Sequence, residues 1–262
     1  MIRRMVVLLS LLLAALFSVA HAASPAVTQP QVDTPRRVLF VGNSYLYYND
    51  SMHNHVRRLA LAADPATAET FQYKSATIGG APLHHHNMAH LTTPGNLGIK
   101  EPFELVIMHG NSTDALADRS RAAFRAKAVE FAGIIAGRGG KVALYMTPAH
   151  IKPSKSAGPD MLRKTEEMYV TVGNEINALV IPAGLAFEEA YRQRPGIKLH
   201  QDYDGSHPTL LGTYLAACTI YATVYNKPCS GNSYDYYGKV PKEDAAFLQK
   251  VADETVKKFY GR

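Results

Sequence analysis

The sequence has 262 residues, 47% of them hydrophobic, with 28 lysines and arginines against 22 aspartates and glutamates and a formal net charge of +6. That length is ample for one large domain with a full apolar core. No lysine or arginine cluster reaches the density of a nucleic-acid footprint, so nucleic acid is not an expected partner.

The chain opens with Arg3 and Arg4, an apolar run from Val6 to Val19 and the small-residue pattern Ala20-His21-Ala22. This is the layout of a cleavable secretory signal, and the run is short for a membrane span. Residues 1–22 are therefore read as a signal peptide cut after Ala22, which makes the mature protein periplasmic or secreted, without stable membrane insertion. An uncleaved N-terminal anchor is the alternative. Loss of the two arginines lowers the formal charge from +6 to about +4, too mild a value to imply a partner. Residues 23–35, rich in Ala, Pro, Thr and Gln without periodicity, read as a flexible segment ahead of a single domain over 36–262.

Within that domain, strand-length apolar runs alternate with stretches of helical period. The expected strands are Val38 to Val41, Phe71 to Ala76, Leu105 to Met108, Val142 to Met146 and Leu179 to Ile181. Helices are expected over about Ser51 to Ala63, Arg119 to Ala136, Asp160 to Ala178, Thr209 to Tyr225 and Lys242 to Phe259. Strands separated by helices imply a parallel sheet with right-handed crossovers, hence a three-layer α/β/α sandwich around about five strands.

In such sheets working residues gather at the carboxyl ends of the strands. The first strand is followed by Gly42-Asn43-Ser44. Gly42 permits a tight turn, and Ser44 then lies at the approach to a helix, where free N–H groups favour a developing negative charge. By itself this is equally a turn followed by a helix cap, and the pentapeptide G-x-S-x-G of the nucleophile elbow is absent, since Tyr45 and Leu46 follow. Near the other end, Asp202-Tyr203-Asp204-Gly205-Ser206-His207-Pro208 sets a carboxylate three residues before a histidine in a glycine-containing loop ahead of a helix. There Asp204 can accept the Nδ1 proton of His207 and leave Nε2 to take a proton from a serine hydroxyl. Pro208 suits the first turn of the helix that follows.

These segments resemble the blocks of the SGNH hydrolases, also called GDSL esterases and lipases, and the resemblance runs over almost the whole mature chain. Val38 to Asp50 is similar to the first block, with Gly-Asn-Ser where many members have Gly-Asp-Ser. Ile78-Gly79-Gly80-Ala81 is similar to the second, and Asp204 to Pro208, continuing through Gly212 to Ala217, to the last. The resemblance implies the flavodoxin-like fold of that family, Ser44, Asp204 and His207 as catalytic triad, and an oxyanion hole from the Ser44 and Gly80 N–H groups with one side-chain donor. The third block departs from the usual Gly-x-Asn-Asp: here the strand runs into His109-Gly110-Asn111-Ser112. Asn111 is the favoured donor, because its amide donates at any pH, with Ser112 and His109 as alternatives.

The expected activity is serine-dependent carboxylic ester hydrolysis without cofactor or metal, on a small-molecule or carbohydrate ester. The resemblance points to small acyl groups such as acetyl. Longer acyl chains, as in lipases and thioesterases, or a binding protein that has lost turnover, are the alternatives. His84, His85, His86 and His90 form a tract in which His86 and His90 have the spacing of a metal pair on a helix, but no carboxylate or cysteine joins them locally; lining a pocket mouth is the other reading. Tyr45, Tyr47 and Tyr48 either pack or stack on a sugar ring. Cys218 and Cys229, eleven positions apart, either form a disulfide or are simply buried.

Overall fold

A computed structural model describes residues 24–262, so the signal peptide and its cleavage after Ala22 lie outside the described residues. Five strands form one sheet: β1 (Arg37–Gly42), β2 (Gln72–Thr77), β3 (Leu105–Met108), β4 (Lys141–Tyr145) and β5 (Leu179–Ile181). Their order is β2-β1-β3-β4-β5 and every pairing is parallel. The chain order therefore reverses between β1 and β3, and the crevice at such a switch point is where a doubly wound sheet offers a site.

Alternation along β1 shows how the sheet divides the core. Val38 and Phe40 face a layer that includes α2 (Met52–Ala63), α6 (Ala183–Gln193), α7 (Leu210–Tyr225) and α8 (Lys242–Tyr260). Leu39 and Val41 face the opposite layer, with α4 (Asp118–Ala136) and α5 (Met161–Glu175). Two single-turn helices, α1 (Ser44–Tyr47) and α3 (Met88–Leu91), lie in the loops after β1 and β2. Residues Gly212 to Tyr225 of α7 are all buried, because α2, α6 and α8 pack around it; a helix apolar on every face fits only such a place.

The strands and the five expected helices stand within a few residues of the expectation, as terminal assignments allow. Helix α6 was not anticipated: its buried face is Ala183, Gly184, Ala186, Phe187 and Ala190, a small-residue face in which Phe187 is the one large side chain. Pro208 stands outside α7 rather than in its first turn; Thr209 is the N-cap, and its side chain accepts from Gly212 N–H. The segment ahead of the domain is not the free tether its composition suggested. Ala26 N–H donates to Asn174 Oδ1 at 2.7 Å, Gln31 donates to the Asn177 carbonyl at 3.0 Å, and Val27 is buried in the core. One backbone N–H, one side-chain amide and one apolar side chain thus hold residues 24–35 to the body of the fold.

Cys218 and Cys229 are buried free thiols, and Cys229 is pushed well above its ordinary value by burial and by the adjacent Cys218. Among the described residues, no helix is long and apolar enough to cross a membrane.

Candidate active site

The loops after β1, β2 and β3 are tied together by one side chain. Asn43, 2% exposed, donates through Nδ2 to the Ala81 carbonyl at 3.0 Å and the Gly110 carbonyl at 3.1 Å. Ser44 follows at the start of α1 and is 6% exposed. Gly42 is required for a reason other than the tight turn expected of it. Its φ is not left-handed; instead a Cβ there would stand 2.3 Å from the His109 ring. That ring is fully buried, and its Nε2 accepts Asn43 N–H at 3.3 Å. Burial pulls His109 down to about 3, so it is a neutral packing element behind the Ser44 loop.

Asp204 and His207 arrive from the loop before α7. Gln201 closes this loop: its N–H donates to the His207 carbonyl, and its own carbonyl accepts Gly205 N–H, both at 2.8 Å. Gly205 has φ +63°, and a Cβ there would lie 2.1 Å from the Ile151 carbonyl oxygen, so glycine alone lets this loop seat on the segment after β4. Asp204 Oδ1 accepts the N–H groups of Ser206 and His207 at 2.8 and 3.0 Å, and Oδ2 accepts His207 Nδ1–H at 2.5 Å. On the far side of the ring, Nε2 stands 2.8 Å from Ser44 Oγ. Burial works against the Asp204 charge, but these three hydrogen bonds outweigh it and hold the carboxyl below its ordinary value. Serine, imidazole and carboxylate thus form one hydrogen-bonded line with the proton-accepting nitrogen on the serine.

Gly80 and Asn111 meet at the next corner. Asn111 Nδ2 donates to the Gly80 carbonyl at 2.9 Å, and its Oδ1 accepts Thr113 N–H and Oγ1–H. Neither Ser44 N–H nor Gly80 N–H donates to any backbone carbonyl among the described residues. Of the alternatives to Asn111, His109 is sealed behind β1, and Ser112 turns away to stand 3.0 Å from His150 Nε2.

No family model matches this sequence, and no curated protein sequence does. Solved structures do match. A DUF4886 family protein from Bacteroides uniformis superposes with a TM-score of 0.59 at 18% identity, over 84% of this chain and 93% of that one. A putative SGNH hydrolase from Slackia heliotrinireducens gives 0.56 at 21%, over 72% and 98%. An acetylxylan esterase from Geobacillus stearothermophilus gives 0.53 at 15%, over 74% and 95%. The chain has the SGNH hydrolase fold.

Within the SGNH fold this chain carries asparagine where the first block often has aspartate, and Asn43 shows what the amide does. It gives two N–H bonds to two carbonyls, and a carboxylate can give none. Asn43→Asp is expected to cost about 3 kcal/mol of stability, since it leaves two buried carbonyls unpaired and sets a charge against them. Urea unfolding of the variant checks this, and an unchanged midpoint would show that the three loops do not depend on the tie.

A buried hydroxyl network beside the Ser44–His207–Asp204 line escaped the sequence reading. His150, in the segment after β4, has Nε2 3.0 Å from Ser112 Oγ, 3.0 Å from Ser206 Oγ and 3.1 Å from Tyr45 Oη, with Nδ1 2.9 Å from Ser154 Oγ. Burial lowers the His150 value and raises that of Tyr45 to about 12, so both are neutral. Tyr45 Oη donates to the Ser206 carbonyl at 2.9 Å, which braces the Asp204 to His207 loop from behind. The available signal was positional, a histidine just past the carboxyl end of a parallel strand. Tyr48 lies flat on His207, with ring centroids 4.4 Å apart and planes 8° apart, and its Oη stands 3.2 Å from Tyr203 Oη. Tyr45 thus packs, whereas Tyr47 and Tyr203 are exposed at 40% and 68%.

The histidine tract divides. His84 and His85 are exposed, His86 is buried and lowered by burial, and His90 faces the Asn96 amide. No group of three metal-ligating side chains occurs among the described residues. A cavity of about 440 Å³ opens beside Asn111, lined by Pro82, Leu83, Ala117, Ala123 and Phe124, with His84 and Arg119 among its polar neighbours.

Proposed function

We propose that this protein is a serine-dependent carboxylic ester hydrolase acting outside the cytoplasm. The observation that carries the reading is the line from Ser44 Oγ through His207 to Asp204 beside two unengaged N–H groups. Asp204 takes the Nδ1–H bond, which leaves the Nε2 lone pair on the serine hydroxyl. Ser44 Oγ attacks the ester carbonyl while His207 removes its proton. The carbonyl oxygen becomes an oxyanion held by Ser44 N–H, Gly80 N–H and the second N–H of the Asn111 amide. The tetrahedral carbon then expels the alcohol, protonated by His207, and leaves an acyl ester on Ser44. Water, deprotonated by the same histidine, releases the acid and restores the serine.

Beside His207 and the Tyr48 ring stacked on it, the exposed rings of Tyr47 and Tyr203 and the paired hydroxyls of Tyr48 and Tyr203 stand together. That combination suits a sugar ring, whose C–H faces stack on aromatics while its hydroxyls hydrogen-bond. The export signal read in residues 1–22 agrees with an extracytoplasmic carbohydrate ester. An acyl-mimicking fluorophosphonate is expected to label Ser44 alone, one adduct per chain, with parallel loss of p-nitrophenyl butyrate hydrolysis. Peptide mass spectrometry checks this. An adduct on another residue, or a protein that neither reacts nor hydrolyses the ester, would overturn the reading.

A further inference from the structure

His150 bonds to none of the groups named in the reaction, yet its Nε2 stands against one chain neighbour of three of them. Tyr45 follows Ser44, Ser112 follows Asn111 and Ser206 precedes His207. Tyr45 Oη, Ser112 Oγ and Ser206 Oγ lie 3.1, 3.0 and 3.0 Å from that one nitrogen. The loop after β1, the loop after β3 and the loop before α7 therefore share a single contact point, on a side chain that is buried. The segment carrying His150 is itself fixed to the last of these loops, since Ile151 N–H donates to the Gly205 carbonyl at 2.8 Å.

The neighbouring bonds place the proton on the ring. Tyr45 O–H donates to the Ser206 carbonyl at 2.9 Å, so the contact between Tyr45 Oη and Nε2 is a hydrogen bond only if the nitrogen is the donor. Nδ1 is then the acceptor and takes the Ser154 hydroxyl proton at 2.9 Å, while the Ser154 oxygen accepts Ser156 N–H at 3.3 Å. One N–H thus points at three hydroxyl oxygens that arrive from three different loops. A hydrocarbon side chain in its place leaves those oxygens without the shared donor and lets the loops shift against one another.

We propose that His150 is a positioning residue: its Nε2–H fixes Ser44, His207 and Asn111 relative to one another by holding the residue beside each. The proposal rests on the ester-hydrolase reading above. Misplacing reacting groups by about 1 Å costs ~10²-fold in rate, and because His150 acts through its neighbours, the loss falls on kcat rather than on KM.

The test follows hydrolysis of p-nitrophenyl butyrate by the full protein. His150→Leu is expected to lower kcat by ~10²-fold with KM changed by less than ~3-fold. His150→Gln carries an amide N–H to nearly the place of Nε2 and is expected to stay within ~5-fold of wild type, whereas His150→Asn reaches only as far as Nδ1 and is expected to lose ~10²-fold like the leucine variant. His150→Gly opens space toward a cavity of about 380 Å³ that His150 lines between α5 and α6. Added imidazole is expected to enter it and raise kcat of that variant by ~10-fold, part of the ~10²-fold loss, with Ser44→Ala in the same imidazole as the blank. A glutamine variant no faster than the asparagine variant, a leucine variant with unchanged kcat, or a folded glycine variant that imidazole leaves unmoved would overturn the positioning role while leaving the hydrolase reading intact. If the leucine and glycine variants do not fold, the contrast between glutamine and asparagine, taken with their melting temperatures, decides alone. Absence of hydrolysis by the wild type would instead remove the reading on which the role rests, and the role with it.

Discussion

Ser44→Ala and His207→Ala are each expected to lower kcat for p-nitrophenyl butyrate by ~10⁴-fold or more, and the double variant is expected to be no slower than the worse single one. The reason is that Oγ and Nε2, 2.8 Å apart, carry out one proton transfer between them. Once either atom is gone, the other has nothing left to do in that step. Whatever rate remains comes from Ser44 N–H, Gly80 N–H and Asn111 acting on the carbonyl of an ester attacked by water. Steady-state kinetics on the three variants checks this. Multiplicative losses would mean that the two residues act in separate steps, which the hydrogen-bonded line does not allow.

Asp204→Asn is expected to lower kcat by ~10⁴-fold with the melting temperature changed by only a few degrees. In this loop Oδ1 takes two backbone N–H groups and Oδ2 takes the ring N–H. An asparagine keeps its carbonyl oxygen on the two backbone donors, so the loop retains its shape. Its NH₂ then faces Nδ1 and donates to it. The imidazole must carry its proton on Nε2, where it confronts the Ser44 hydroxyl with a donor instead of an acceptor. Kinetics and thermal unfolding measured on the same preparation separate this tautomer effect from loss of the loop. A variant that loses structure along with activity would place the role of Asp204 in folding rather than in proton transfer.

The parts of the site that were legible in the sequence are those whose chemistry is local. Asp204 and His207 are three residues apart in one loop, so their spacing alone states that they can pair. Ser44 is marked by its place after the first strand of an alternating chain. The parallel sheet was legible for a similar reason, since apolar runs such as Leu105 to Met108 fit only a doubly covered strand. What was hidden depends on contacts between distant segments. Gly42 looked like a turn glycine, but its constraint is the ring of His109 arriving from another strand. His150 carries no motif, and its four hydroxyl neighbours come from four separate places in the chain. Residues 24–35 have the composition of a tether, yet two asparagines 146 and more positions away hold them. Helix α6 was obscured because alanine and glycine supply most of its buried face, and such residues contribute weakly to an apolar period.

Ser44 and His207 are 163 positions apart, and His207 reaches the serine only when the last quarter of the polypeptide is in place. Its loop runs within three residues into α7, the helix enclosed on all sides by α2, α6 and α8, which itself needs the C-terminal helix to be covered. A polypeptide still being synthesised therefore holds Ser44 without its imidazole partner. The Ser44–His207 hydrogen bond and the cover over α7 depend on the same last quarter of the chain.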